Sequence, residues 1–238
     1  MTKKKSNFLK TIGEFVSENR LPVILGVIIV AFLGLMFWMS ESNKIDLTGI
    51  DINKEIPASE KTGNISEHFF ETTSKTSKVV LIEYGDFQCG SCGTMSPKVK
   101  ALAEKYGDKI SIIFRNFPIE GHTNALSAAA AVEAAGLQGK YWQMHSLVYE
   151  NQSEWSSASA TERTDFYKKY AKSIGLDENK LVEDMKSSKV SQKITFDKTL
   201  GKHAKISGTP TFILNGKELS NDIWGDEAAF QKKIEESL

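Results

Sequence analysis

Cysteine is scarce in this chain of 238 residues, which contains only two, Cys89 and Cys92. Two cysteines cannot build the framework of several disulfides that holds small secreted domains together. Histidine is almost as scarce, and the four histidines show no metal-ligand spacing to one another. A structural zinc site needs four ligands, so the cysteine pair favours a use other than metal binding.

An excess of charge of one sign is also missing. The chain carries 30 basic and 30 acidic side chains, and its formal net charge is zero. This balance gives no reason to expect a nucleic-acid partner. Residues 1–20 are the local exception, because basic side chains outnumber acidic ones there.

Charged residues are absent from 21–39, which is rich in Ile, Val, Leu and Phe. At a rise of ~1.5 Å per residue, this run is long enough to cross a hydrocarbon core of about 30 Å. Pro22 suits a helix start, and Trp38 suits the membrane interface at the far end. The alternatives are a buried core helix and a cleaved signal peptide. The run exceeds the ~7–15 apolar residues of a signal peptide and lacks a small-x-small cleavage site.

These features predict an uncleaved, single-pass membrane anchor at 21–39. The basic flank at 1–20 predicts that the N-terminus is cytoplasmic. Everything beyond Ser40 is then extracytoplasmic, with 40–61 as a polar linker and 62–238 as the main domain. The expected location of the protein is therefore the cell membrane.

Hydrophobic periodicity predicts alternating strands and helices in the main domain. A continuous apolar run predicts a buried strand at 78–84, and the segment that carries both cysteines opens a helix ending at Tyr106. The other expected elements are a helix at 65–72, a strand at 109–117, five helices between about 121 and 204 with a Ser-rich loop at 151–160, strands at 209–214 and 217–220, and a helix at 226–238.

A Cys-x-x-Cys at the start of a helix suits thiol chemistry. The first sulfur faces unsatisfied N–H groups and the positive end of the helix dipole, which favours the thiolate of Cys89. Cys92 lies one turn further in, and we expect it to be less exposed. A disulfide would then be exchanged through a mixed disulfide on Cys89.

Other uses of the cysteine pair stay open on the sequence alone. A structural disulfide is compatible with an exported protein, although so short a loop gains little chain entropy. A zinc site would need two further ligands. A Cys–His hydrolase would use a single cysteine and would leave the strand-to-helix position of the pair unexplained.

Glu83 interrupts the apolar strand six positions before Cys89. Burial would raise the pKa of this carboxyl group, because desolvation disfavours the charged form. Glu83 could then accept the proton of Cys92 during exchange. The alternative is a solvent-facing residue on a strand at the sheet edge.

The segment from Glu83 to Cys92 resembles the active-site segment of the thioredoxin superfamily, and within it the DsbA-like thiol–disulfide oxidoreductases. Pro97, five residues after Cys92, is similar to the proline of that family's active-site helix. The run 208–212, Gly-Thr-Pro-Thr-Phe, resembles the family's cis-proline segment before a strand. The resemblance covers about 65–238.

The resemblance implies an α/β thioredoxin fold with an inserted helical subdomain at about 121–204. It implies that Cys89 is the nucleophile, that Cys92 resolves the mixed disulfide, and that the two form a redox disulfide. It also implies that the substrate contacts Thr209, Pro210, Gly90 and Ser91. Neither a metal nor an organic cofactor is expected.

The expected activity is the formation of disulfide bonds in exported proteins, whose thiols are the substrates. A quinone-linked membrane partner would reoxidise the pair. Gly90-Ser91 departs from the Pro-His that strongly oxidising members often carry, so a less oxidising pair is predicted. The alternatives are an extracytoplasmic reductase or isomerase, and a tethered binding or chaperone protein with a structural disulfide. His122, which opens the inserted helices, could approach the site, but it is interpreted as a capping or surface histidine.

Overall fold

The computed structural model of the protein describes residues 20–42, 47–59, 62 and 65–238. The chain divides after residue 46 into two compact units. Each unit is described by itself. The predicted cytoplasmic segment 1–20 lies outside the described residues except for Arg20.

The first unit contains helix α1, Arg20–Ser42, which covers the predicted apolar segment. Its described apolar side chains are exposed, as at Leu21 (75%) and Leu25 (53%). Within the part of the chain that is described, no helix reaches the length and apolarity of a membrane span. The helical form of 21–39 is therefore observed, whereas its role as an anchor stays a prediction.

The second unit is built on a mixed five-stranded sheet in the order β1-β3-β2-β4-β5. Strands β2 and β3 are parallel, and the other neighbouring pairs are antiparallel. The strands are β1 His68–Phe69, β2 Val80–Gly85, β3 Ser111–Asn116, β4 Thr211–Leu214 and β5 Lys217–Glu218. The predicted buried strand is thus the centre of the sheet.

Helices cover the sheet and form the subdomain inserted between β3 and β4. They are α2 Gly90–Tyr106, a 3-10 turn Gly107–Lys109, α3 Ala125–Leu137, α4 Tyr141–Glu150, α5 Gln152–Trp155, α6 Ala160–Ser173, α7 Glu178–Asp184, α8 Ser188–His203, α9 Asn221–Trp224 and α10 Glu227–Glu235. The predicted α/β thioredoxin-like fold with a helical insertion is confirmed.

Helix α2 is the crossover that makes β2 and β3 parallel. It buries Met95, Val99, Leu102 and Tyr106 at helical spacing, which explains how it packs against the sheet. It ends at Gly107, whose φ of +52° lies in the left-handed region that favours glycine. The first turn of α2, and with it the cysteine pair, is therefore held at the C-terminal end of β2.

Two of the predicted elements differ from the structure. The segment 65–72 is not a helix: it contributes the edge strand β1, in which His68 pairs with Phe114 of β3. The Ser-rich loop 151–160 contains the short helix α5, since Trp155 is fully buried. The predicted C-terminal helix is present as α10, which Asp226 caps by accepting a hydrogen bond from the Ala229 N–H at 2.8 Å, and the short helix α9 lies before the predicted range.

The predicted linker 40–61 also differs over its second half. The compact unit begins at residue 47 rather than 62. Ile56 is buried, and the carbonyls of Ile52 and Lys54 accept hydrogen bonds from Arg115. A polar segment therefore joins the domain largely through hydrogen bonds to its backbone carbonyls. Amino-acid composition gives no sign of such bonds, so the sequence predicted a linker.

Candidate active site

Cys89 occupies the N-cap position of helix α2, with extended backbone angles (φ −73°, ψ 120°). Its side chain is half-buried, whereas Cys92 has no exposed surface. Both cysteines are free thiols in this structure. The accessible first sulfur and the buried second sulfur match the sequence-based expectation.

The environment of Cys89 stabilises its thiolate. The Cys92 thiol next to it is the largest cause, followed by the Thr209 side chain and then by the backbone N–H groups of Cys92 and Ser91. Together they lower the pKa of Cys89 to about 5 against the opposing effect of burial. Neighbouring hydrogen-bond donors thus lower the pKa of Cys89 without the imidazole that a Pro-His dipeptide would supply.

Cys92 is perturbed in the opposite direction. Burial raises its pKa well above the ordinary value, and the hydrogen bond to Cys89 and the charge of Glu83 raise it further. At neutral pH Cys92 is therefore a protonated thiol that donates to the Cys89 sulfur. The two sulfurs have clearly different acidities, which suits one attacking and one resolving thiol.

Glu83 lies in β2 with 3% of its surface exposed, so the alternative of a solvent-facing edge residue is wrong. Desolvation, and then the nearby Cys89 charge, raise its pKa to about 8. Its Oε1 atom has no hydrogen-bond partner among the described residues. The buried carboxyl group is thus mostly protonated at pH 7 and can exchange a proton close to neutral pH.

The loop before β4 meets the cysteine pair. The Thr209–Pro210 peptide bond is cis, as the resemblance implied. The Cys89 Sγ lies 3.3 Å from the Thr209 carbonyl oxygen, in position to donate to it when protonated. Gly90 and Ser91 are exposed beside the pair. The structure therefore brings Cys89, Cys92, Thr209 and the cis bond together, with Glu83 buried behind them.

Asp86 belongs to this site and was not identified from the sequence. Its buried carboxylate accepts hydrogen bonds from the N–H of Gln88 at 2.7 Å and of Ile119 at 2.8 Å. The Nδ1 of His122 lies 2.8 Å from the same carboxylate. His122 is therefore a partly exposed histidine that pairs with the loop before Cys89. The hydrogen bond from the Gln88 N–H to the Asp86 side chain, two residues earlier, is typical of an Asx turn. An aspartate in the loop after a strand is the sequence feature that could have indicated it.

Within the described ranges, no group of three or more His, Cys, Asp or Glu side chains is placed to hold a metal ion. The expectation that the protein needs no metal or organic cofactor stays a prediction. The chemistry of the site rests on two sulfurs and one carboxyl group.

Fold and site together define a protein of the thioredoxin-like class. A Cys-x-x-Cys opens the helix after the central strand, and a cis-proline loop lies against it. The sequence profile of the thioredoxin family matches residues 73–236. The chain belongs to the thioredoxin family.

Two curated relatives differ in how much of their length this chain matches. The Na(+)/H(+) antiporter NhaA 1 of Mycolicibacterium vanbaalenii is 36% identical over 143 residues, which are 58% of this chain and 22% of the relative. The chain thus spans about a fifth of that relative. The probable disulfide bond formation protein D of Bacillus cereus is 29% identical over 161 residues, covering 66% of this chain and 74% of that protein.

Solved structures agree on the fold. The thiol-disulfide exchange protein alpha-DsbA2 from Wolbachia pipientis is 25% identical with a TM-score of 0.58, covering 70% of this chain and 86% of that one. BdbD from Bacillus subtilis, in its oxidised form, has a TM-score of 0.60 at 22% identity, covering 69% and 89%.

Proposed function

We propose that this protein is an extracytoplasmic thiol–disulfide oxidoreductase that forms disulfide bonds in exported proteins. The observation that carries the proposal is the pair of unequal thiols. Cys89 is accessible and its pKa is lowered to about 5, whereas Cys92 is buried and its pKa is raised. The names of the B. cereus and W. pipientis relatives support the same chemistry.

The reaction starts from the Cys89–Cys92 disulfide. A substrate thiolate attacks the Cys89 sulfur, the Cys89–Cys92 bond breaks, and Cys92 leaves with the electron pair. A second substrate thiolate then attacks the substrate sulfur of the mixed disulfide and releases Cys89 as a thiolate. Two electrons pass from the substrate to the pair, and the substrate gains a disulfide.

Glu83 supplies the proton that Cys92 needs. The departing Cys92 thiolate is buried and strongly basic, and Glu83 is mostly protonated at pH 7 because its pKa is about 8. Proton transfer from Glu83 to Cys92 therefore accompanies the opening of the disulfide. On reoxidation the same carboxylate accepts the Cys92 proton, the role inferred from the sequence.

The direction of the reaction follows from the stability of the dithiol form. A thiolate stabilised at Cys89 favours the reduced pair and makes the disulfide a stronger oxidant. This supports oxidation of substrates over the reductase or isomerase alternative. The main chain at Thr209 and Pro210, with Gly90 and Ser91 exposed nearby, is the surface on which an extended substrate would pair by strand addition.

A membrane tether at 21–39 completes the proposal. It rests on the uncharged apolar run, on the exposed apolar side chains of α1 and on the basic flank at 1–20. The domain would then act outside the cytoplasm. The reduced pair must pass two electrons on, and a quinone-linked membrane partner is the proposed acceptor.

The test is capture of mixed disulfides in cells. Cys92→Ser removes the resolving sulfur, so exported proteins should accumulate on Cys89. Cys89→Ser is the matched control and should capture none. A Cys92→Ser protein that is present at normal abundance but carries no mixed disulfide with an exported protein would contradict the proposal.

The reduction potential separates oxidase from reductase. Gly90-Ser91 predicted a less oxidising pair, but the lowered pKa of Cys89 favours the opposite. We expect a value closer to that of DsbA, about −120 mV, than to that of thioredoxin, about −270 mV. Equilibration of the purified protein with glutathione buffers measures it. A value near that of thioredoxin would favour the reductase alternative.

A further inference from the structure

The loop that leads to Cys89 is held by the inserted helical subdomain as well as by the sheet. Gln88 Oε1 accepts a hydrogen bond from the Asn124 N–H at 2.7 Å, just before helix α3. Gln88 Nε2 donates to the Ser156 carbonyl at 2.8 Å, just after helix α5. The insertion therefore contacts the loop from two sides within one residue of the nucleophile.

Gln152, the first residue of α5, makes the most direct of these contacts. Its Nε2 donates to the carbonyl of Phe87 at 2.7 Å and to the carbonyl of Cys89 at 2.9 Å. Both amide hydrogens are thus used on the main chain of the active-site loop. This side chain is half-buried and contacts the backbone rather than either sulfur.

The Cys89 carbonyl has a second donor at the same time. The Gly93 N–H donates to it at 3.1 Å, which is the first hydrogen bond of helix α2. The Gln152 amide also lies close against this turn, because a Cβ at Gly93 would come within 3.2 Å of Gln152 Oε1. Gln152 therefore fixes one end of the peptide unit that links Cys89 to Gly90, and glycine at 93 leaves room for it.

We propose that Gln152 is a positioning residue for Cys89, through which the inserted subdomain holds the first turn of α2 in place beside the nucleophilic sulfur. The Cys89 carbonyl and sulfur belong to one residue, so fixing the carbonyl also fixes the backbone from which the sulfur projects. The backbone N–H groups of Ser91 and Cys92, which lower the pKa of Cys89, belong to the turn that begins at this carbonyl. This inference rests on the proposed role of Cys89 as the nucleophile.

A division of labour follows from this placement. The sheet and α2 supply the two thiols, and the insertion adjusts how reactive the first of them is. Loss of the Gln152 donors leaves the Gly93 N–H as the remaining donor to the Cys89 carbonyl and removes the Gln152 donor from the Phe87 carbonyl, so the first turn of α2 is held less firmly. The thiolate is then less stabilised, while the thiols themselves remain.

The test is the acidity of Cys89 in a Gln152→Leu variant, which removes both donors without adding charge. We expect the pKa of Cys89 to rise by about one unit, a tenfold change in its ionisation. The two-electron reduction potential should fall by about 30 mV, the equivalent of that tenfold change. Ultraviolet absorbance of the thiolate across a pH series measures the first, and glutathione equilibration the second.

Gln138→Leu is the matched control. Gln138 is also half-buried in the insertion, and it also makes two hydrogen bonds to the main chain, both with Asp177. Its loss should lower stability without moving the pKa of Cys89. An unchanged Cys89 pKa in a folded Gln152→Leu protein, or an equal shift in both variants, would overturn the proposal.

Gly93→Ala provides a second approach should Gln152→Leu not fold. The added methyl group presses on the Gln152 amide and should raise the pKa of Cys89 in the same direction, by less. No shift there would count against the inference. The outcome is independent of the cellular test, because the acidity of Cys89 is measurable whether or not Cys92→Ser captures exported proteins.

Discussion

The two faces of the central sheet differ in how their buried ionisable side chains are paired. Glu83 and Tyr84 are neighbours in β2, so their side chains point to opposite faces. On one face, Glu83 lies near the cysteines with an unpaired oxygen. On the other, the Tyr84 hydroxyl accepts a hydrogen bond at 2.8 Å from Arg115, the centre of a network of paired charges.

In that network each charge has a partner. Arg115 Nη2 lies 2.6 Å from Glu67 Oε1, and Lys193 Nζ lies 2.6 Å from Asp197 Oδ1. Burial alone would raise the pKa of Glu67, but the charges of Arg115 and Lys193 bring it below its ordinary value. Glu67, which has two cations beside it, thus stays ionised and has a structural role, whereas Glu83, which has none, is mostly protonated at pH 7 and can take part in proton transfer.

The largest effect on this comparison should come from Arg115→Met. The change leaves Glu67 buried without its cation, and removing one partner of a buried ion pair costs about 3–5 kcal/mol of unfolding free energy. Denaturant unfolding measures the loss. Arg163→Met is the control, since Arg163 is half-buried and donates to the neutral amide of Asn124. Equal losses in the two variants would mean that the network is not structural.

Glu83→Gln should act in the opposite direction and depend on pH. The pKa of Glu83 is raised from an ordinary 4.5 to about 8 in the folded protein. The folded state therefore holds this proton more tightly, and stability falls as pH rises from about 4.5 to 8. The variant lacks this titration, so at pH 8 it should exceed the parent by a few kcal/mol, and at pH 4 the two should agree.

Unfolding of the reduced proteins across that pH range tests this prediction. Asp226→Asn is a suitable control, because Asp226 is an exposed capping residue at the start of α10. A difference between Glu83→Gln and the parent that does not change with pH would show that Glu83 is not the group that titrates.

The sequence indicated the active-site face far better than the paired face. Cys89, Cys92 and Glu83 follow one another on a strand and the helix after it, so local patterns place them. Glu67 and Arg115 are 48 residues apart in the chain, and they meet only because β1 and β3 pair. No local pattern contains that pairing.

Gln152 escaped prediction for a similar reason. It contacts Cys89 across 63 residues, from a short helix whose position depends on the burial of Trp155. Strand β1 has only two residues, which are too few for a periodic signal, and it forms by pairing with β3. Periodicity predicts elements, whereas polar contacts between distant elements follow from the finished topology.

Tyr149→Phe should have a smaller effect. The Tyr149 hydroxyl is buried without a hydrogen-bond partner among the described residues, and its ring packs on Phe87 at 4.7 Å. Removing the hydroxyl keeps the ring packing and loses no hydrogen bond, so stability should stay equal or rise by less than ~1 kcal/mol. Tyr170→Phe is the contrast, because Tyr170 donates to Glu154 at 2.9 Å and its loss should cost about 1 kcal/mol.

The smallest effect should come from Lys105→Ala. Lys105 and Glu235 form an ion pair at 3.1 Å, but their side chains are 46% and 52% exposed. Water and salt screen such a pair, and holding two long side chains together costs entropy. The denaturation midpoint should therefore stay unchanged within error at both low and high salt. A lower denaturation midpoint that returns to the parent value on adding salt would show that even exposed ion pairs stabilise this fold. The difference between buried and exposed pairs would then not depend on burial alone.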